Sequence, residues 1–153
     1  MSYRLRKANV EDAKLIFDWA NEPDVRANSF NPELIEWDNH IKWFRNKLDS
    51  VGCIILILEE HDHPIGQIRF DLNDEAQWEV DYSVGSEFRG QGIGKRIIKE
   101  GMSHLHQNKY HEPIVAKVKR SNIPSLKVFR KLGFKEQLNQ DVFVFRFENT
   151  KAL

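Results

Sequence analysis

Val84-Gly85-Ser86-Glu87-Phe88-Arg89-Gly90-Gln91-Gly92-Ile93-Gly94-Lys95-Arg96 is the stretch on which the reading turns. Just before it, Trp78, Val80, Tyr82 and Val84 alternate with Glu79, Asp81 and Ser83, the pattern of a half-buried strand. Just after it, Ile93, Ile97, Ile98, Gly101, Met102 and Leu105 recur at helical spacing. They predict a helix of about three to four turns. Gly90, Gly92 and Gly94 lie between these elements and remove side chains where backbone must approach something closely. A glycine loop that opens a helix leaves first-turn N–H groups unpaired at the positive end of the helix dipole. That is an anion site, most often for phosphate.

Two familiar phosphate loops fail on spacing. A dinucleotide fingerprint needs a third glycine where this chain has Lys95, and a P-loop needs one where it has Arg89 and Ser or Thr where it has Arg96.

Outward from the loop, residues 3–7 read as a short strand, and Asn9 with Glu11 and Asp12 as a helix start. Ala13, Ile16, Phe17 and Ala20 continue that helix, which ends before Pro23. Residues 21–32 read as a loop, and Trp37, Ile41, Phe44 and Leu48 as a second helix with an aromatic face. Cys53 to Leu58 reads as a strand buried on both faces, turning through His61-Asp62-His63-Pro64 into Ile65 to Leu72. Toward the C-terminus come a strand at Ile114 to Val118 and a helix from Ser121-Asn122-Ile123-Pro124 to Gly133. A last strand spans Val142 to Phe147. Hairpins first and βαβ connections later imply one mixed sheet with helices on its faces.

The 153 residues suit a single domain over 1–153. Twenty-three basic and 23 acidic residues balance, so no global field favours nucleic acid. The longest apolar run, Cys53 to Leu58, is too short for a membrane span. A lone cysteine and an N-terminus without an apolar signal core predict a cytoplasmic protein. His61-Asp62-His63 reads as a solvated turn, so no metal is expected.

Arg89-Gly90-Gln91-Gly92-Ile93-Gly94 resembles the acyl-CoA signature of the GCN5-related N-acetyltransferase (GNAT) superfamily, Q/R-x-x-G-x-G/A. Asn122-Ile123-Pro124-Ser125, then Phe129 to Phe134, is similar to that family's second motif. The resemblance implies an α/β fold with a mixed sheet of about six to seven strands flanked by about four helices. It implies acetyl-CoA as co-substrate, its pyrophosphate held by the backbone of Gln91, Gly92, Ile93, Gly94 and Lys95, with Gly90 shaping the loop and Arg89 adding charge. Val84 would offer backbone hydrogen bonds to the pantetheine arm, and Asn122 and Ser125 would contact the coenzyme. Helix capping is the other reading of those last two.

The reaction so implied is attack of an amine on a thioester. An alkyl ammonium of pKa about 10 must first lose a proton. Glu79 matches the family's catalytic glutamate, and Asp81 is the second candidate base, although exposed strand faces commonly carry acids without a catalytic role. Many relatives have a tyrosine, the proton donor to the leaving thiolate, where this chain has Phe129. The general acid is therefore unassigned, and Tyr82 falls on the apolar side of its strand. The acceptor implied is a small-molecule primary amine, with a nucleotide-linked amino sugar favoured over protein N-termini and polyamines. A non-catalytic acyl-CoA sensor is the rival from another class. The resemblance is compatible with a homodimer.

Overall fold

The structure is a computed structural model, and it describes residues 2–150. Seven strands form one sheet: β1 (Tyr3–Lys7), β2 (Cys53–Glu60), β3 (His63–Leu72), β4 (Trp78–Val84), β5 (Ile114–Lys119), β6 (Lys135–Asn139) and β7 (Val142–Phe147). Their spatial order is β1-β2-β3-β4-β5-β7-β6, antiparallel except where β4 meets β5. Five helices complete the fold: α1 (Ala13–Ala20), α2 (Pro23–Asn28), α3 (Trp37–Leu48), α4 (Ile93–Gln107) and α5 (Ile123–Lys131).

The predicted α/β mixed sheet is present, with two differences. Residues 21–32 contain α2, a six-residue helix with proline in its first turn. It buries no residue, so it leaves no periodic apolar signal. β6 is the second difference: all five of its residues are exposed on the sheet's outer edge, so burial does not pattern them.

β2 is buried on both faces, and its alternation divides two cores. Ile55 and Ile57 meet α1 and α3 through Ala13, Ile16, Trp19 and Phe44. Leu56 and Leu58 join the larger core, in which α4 and α5 cover the opposite face. Trp78, Val80, Tyr82 and Val84 belong to that larger core, so the polar edge of β4 faces the α1–α3 side.

Local chemistry sets the element ends. Asn9 Oδ1 accepts from the Glu11 N–H at 2.9 Å, and Asp12 accepts from the Asn9 N–H at 2.8 Å, a reciprocal cap on the short 3-10 turn Val10–Asp12 that leads into α1. His61 and Asp62, both at positive φ, are the two corner residues between β2 and β3, as a twisted hairpin demands. α5 ends on Gly133 at φ 84°, with Phe134 N–H donating to Phe129 C=O and Gly133 N–H to Arg130 C=O.

α4 ends the same way, with Tyr110 N–H donating to Leu105 C=O and Lys109 N–H to His106 C=O. Its left-handed residue is Lys109, at φ 64°, where a Cβ is strained. Lys109→Gly is therefore expected to stabilise the fold by about 1 kcal/mol, less the extra chain entropy of glycine. Thermal unfolding should rise by about 2–4 °C.

Candidate active site

β4 runs into the glycine loop and α4 leaves it. Gly90 and Gly92 have φ of 77° and 76°, and a Cβ on either would meet nothing within 4 Å. Their requirement is the left-handed backbone rather than space. Gly94 differs: a Cβ there would lie 3.2 Å from the Tyr82 ring, so this glycine lets α4 begin against Tyr82. The first α4 bond runs from Arg96 N–H to Gly92 C=O. The N–H groups of Ile93, Gly94 and Lys95 thus have no carbonyl inside the helix to meet. Gln91 and Lys95 are exposed at this end.

Arg89 is not held out toward an anion. Its guanidinium donates to the Val84 carbonyl, Asp24 and Glu22, each at 3.0 Å, and ties the loop to the start of α2. Its charge is matched by two carboxylates, and it occupies the Val84 carbonyl.

β4 and β5 pair only at Trp78–Ile114 and Glu79–Val115, and beyond this the strands part. Trp78 N–H donates across to Pro113 C=O, whereas Gly85 N–H donates back to Ile65 on the β3 side. Alternation along an antiparallel strand then turns the backbone polar groups of Val80, Tyr82 and Val84 toward the opening. Val80 and Tyr82 are backbone positions that the sequence reading did not single out. On the far side of the opening, Asn122 caps α5, its Oδ1 accepting from Ser125 N–H at 3.4 Å. The Ser125 hydroxyl is hydrogen-bonded to that of Tyr82 at 2.8 Å.

The two carboxylates share one face of the sheet but have different surroundings. Glu79 stands at the last β4–β5 pair, its carboxylate accepting from Asn73 Nδ2 at 3.1 Å with Lys117 Nζ at 3.9 Å. Asp81 lines a cavity of about 410 Å³ between the sheet and α1–α3, with Arg26, His40, Trp43, Arg69 and Ser83 among the other lining residues. Gln67 Nε2 donates to Asp81 at 3.4 Å, and Arg69 Nη1 lies 3.7 Å away. Arg69 donates to Asp71 at 2.7 Å, with its guanidinium 5.0 Å over the Trp43 ring. Arg26 donates to the carbonyls of Ala20, Asn31 and Glu33 and to Ser29 Oγ, and pairs with no carboxylate among the described residues.

Residues 3–135 match the family described as the acetyltransferase (GNAT) domain. The chain belongs to the GNAT family. An uncharacterised protein of Methanocaldococcus jannaschii is 24% identical over 138 residues, 86% of this chain, which spans only 28% of that protein. An N-acetyltransferase 9-like protein of Nematostella vectensis is 26% identical over 148 residues, covering 82% of this chain and 71% of the relative. Among solved structures, the yncA protein of Salmonella typhimurium, determined with its cofactor acetyl-CoA, superposes with a TM-score of 0.82 at 18% identity, covering 100% of this chain and 97% of that one.

Within this GNAT domain Phe129, where the resemblance implies a tyrosine, is a core ring with no proton to give. Phe129 is 1% exposed, and its ring meets Phe145 at 5.2 Å and Phe134 at 5.0 Å. Cys53 is no nucleophile: burial, reinforced by the charge of Asp71, pushes its thiol up to about 12. His40, buried among Phe17, Trp37, Trp43 and Phe44, donates through Nε2–H to the Ala13 carbonyl at 2.8 Å, and burial holds its pKa below the usual value. No helix among the described residues is long and apolar enough to cross a membrane.

Proposed function

We propose that the protein transfers an acetyl group from acetyl-CoA to the primary amine of a small molecule that also carries an anionic group, with a nucleotide-linked amino sugar as the favoured acceptor. The donor reading follows from family membership together with the glycine loop and the unpaired edge of β4. The pyrophosphate would meet the N–H groups from Gln91 to Lys95, at the positive end of α4. The pantetheine would run along Val80, Tyr82 and Val84 in place of a strand, and Asn122 shapes the opposite wall.

The acceptor reading is carried by one observation: the cavity wall holds both Asp81 and an arginine, Arg26, that no carboxylate neutralises among the described residues. Asp81 suits an ammonium group and Arg26 a phosphate. Glu79, fixed by Asn73 where the strands part, is the base in this reading, and Asp81 holds the amine in place.

Thiol release from acetyl-CoA, followed with a UDP-linked amino sugar, the same amino sugar without its nucleotide, spermidine and a peptide with a free N-terminus, tests this. The nucleotide-linked amine should turn over with the highest kcat/KM, and Arg26→Met should lose most of that preference over the same amino sugar without its nucleotide. Turnover of spermidine or the peptide alone would replace the acceptor class. Acetyl-CoA binding with no turnover on any amine would favour a sensor.

A further inference from the structure

Three buried side-chain atoms have no hydrogen-bond partner among the described residues: His106 Nδ1, His111 Nδ1 and Asn149 Oδ1. They gather where α4 hands the chain to β5. The 15-residue α4 sets this place about 20 Å from the glycine loop.

The chain brings them together in two ways. Lys109, at φ 64°, reverses the backbone after α4, and the His111 ring returns against that of His106, with centroids 5.3 Å apart and planes at 68°. Asn149 follows β7, whose Phe147 pairs with Ile114 at the start of β5. Its side chain is fully buried, and Nδ2 donates at 2.6 Å to the carbonyl of Tyr110, the neighbour of His111. That bond identifies the other amide atom as the oxygen, a pure acceptor.

Buried acceptors without donors cost free energy and call for a partner. With both ring protons on Nε2, all three orphans are acceptors, and one water has only two protons to offer. A cation has no such limit. Two imidazole nitrogens and an amide oxygen suit a first-row divalent ion. Two imidazoles on one tetrahedral zinc, each at about 2.0–2.1 Å, have ring centroids about 5 Å apart, in agreement with the observed pair. No three His, Cys, Asp or Glu side chains gather as ligands among the described residues, so the third donor here is the amide, with solvent completing the set.

We propose that His106, His111 and Asn149 bind a divalent transition-metal ion of the zinc class, which staples the α4–β5 turn to the chain after β7. The proposal stands apart from the donor and acceptor readings above. The stapled turn also feeds the β4–β5 pairing: Pro113 C=O accepts from Trp78 N–H at 2.8 Å, and Glu112 from Trp78 Nε1 at 2.9 Å. A bound ion therefore stiffens the end at which these strands are joined.

Zinc chloride, titrated by calorimetry into the untagged full chain after chelator treatment, tests this without any substrate. Wild-type protein should bind one zinc per chain. At 100 times the dissociation constant its melting temperature should rise by about 5 °C or more. His106→Ala and His111→Ala should each weaken zinc binding about tenfold or more, with zinc-free melting temperatures close to that of the wild type. Asn149→Asp replaces a neutral oxygen by a carboxylate and should tighten binding about tenfold, a gain that misfolding cannot imitate. His61→Ala combined with His63→Ala should change nothing, because both residues are exposed at the β2–β3 corner.

A wild-type chain that binds no zinc overturns the proposal and leaves the three atoms to water. Binding that survives in His111→Ala and disappears without His61 and His63 overturns it too. So does an Asn149→Asp chain whose affinity fails to rise.

Discussion

Glu79→Gln is expected to lower kcat about 100-fold at pH 7 while the acetyl-CoA dissociation constant stays within twofold. The amide is isosteric and still accepts from Asn73 Nδ2, so the turn from Asn73 to Gln77 and the β3–β4 pairing stay intact. What disappears is a group able to take a proton from an ammonium of pKa about 10. The deficit should therefore shrink as pH approaches the amine's own pKa, where the substrate arrives already deprotonated. Asp81→Asn should act differently, raising KM for the amine more than it lowers kcat, because Asp81 lines the cavity rather than the point where the strands part. Wild-type turnover by Glu79→Gln at neutral pH would remove Glu79 from the mechanism.

The second large effect is on stability. Phe129→Ala should cost about 3–5 kcal/mol, the usual loss for a fully buried aromatic side chain. Phe129 is 1% exposed and touches Phe145, Phe134 and Tyr82. It also forms the apolar half of the α5 terminus, where Phe134 folds back onto it after Gly133. Set against a typical domain stability of about 5–15 kcal/mol, the loss leaves a marginal protein. A fall in melting temperature of about 10 °C or more, with a matching shift in the urea midpoint, is the measurement. An unchanged midpoint would show that the three aromatic neighbours close over the gap.

The β4–loop–α4 unit was legible because three local signals agree across its residues: alternation from Trp78 to Val84, glycines at Gly90 and Gly92, and helical spacing from Ile93 to Leu105. Glu79 and Asp81 were read onto one face by the same alternation, and they occupy it. The rest of the site is non-local. Gln67, Arg69 and Asp71 share a parity in β3, a pattern available in the sequence, but their meaning depends on facing Ser83, Asp81 and Glu79 across the ladder. Arg26 and His40 reach the cavity only because α2 and α3 fold over it.

The glycines illustrate the same limit. Spacing presents Gly90, Gly92 and Gly94 as equivalent, yet two serve a backbone angle and one a ring contact. Position alone presents Arg89 as a charge for the anion, and nothing local reveals that Glu22 and Asp24, far back in the chain, already hold it.

That strut has a thermodynamic side. Arg89 is bonded at once to the rim of the donor loop through Val84 and to the segment that opens α2, whose Arg26 lines the acceptor cavity. Were the loop to shift as it closes on a pyrophosphate, the strut would pass that shift to the far wall, and the reverse would hold equally. Linkage requires the two effects to be reciprocal: whatever factor the first ligand applies to the affinity of the second, the second returns to the first. Cutting the strut would uncouple the two affinities, and it would also free the Val84 carbonyl that Arg89 occupies.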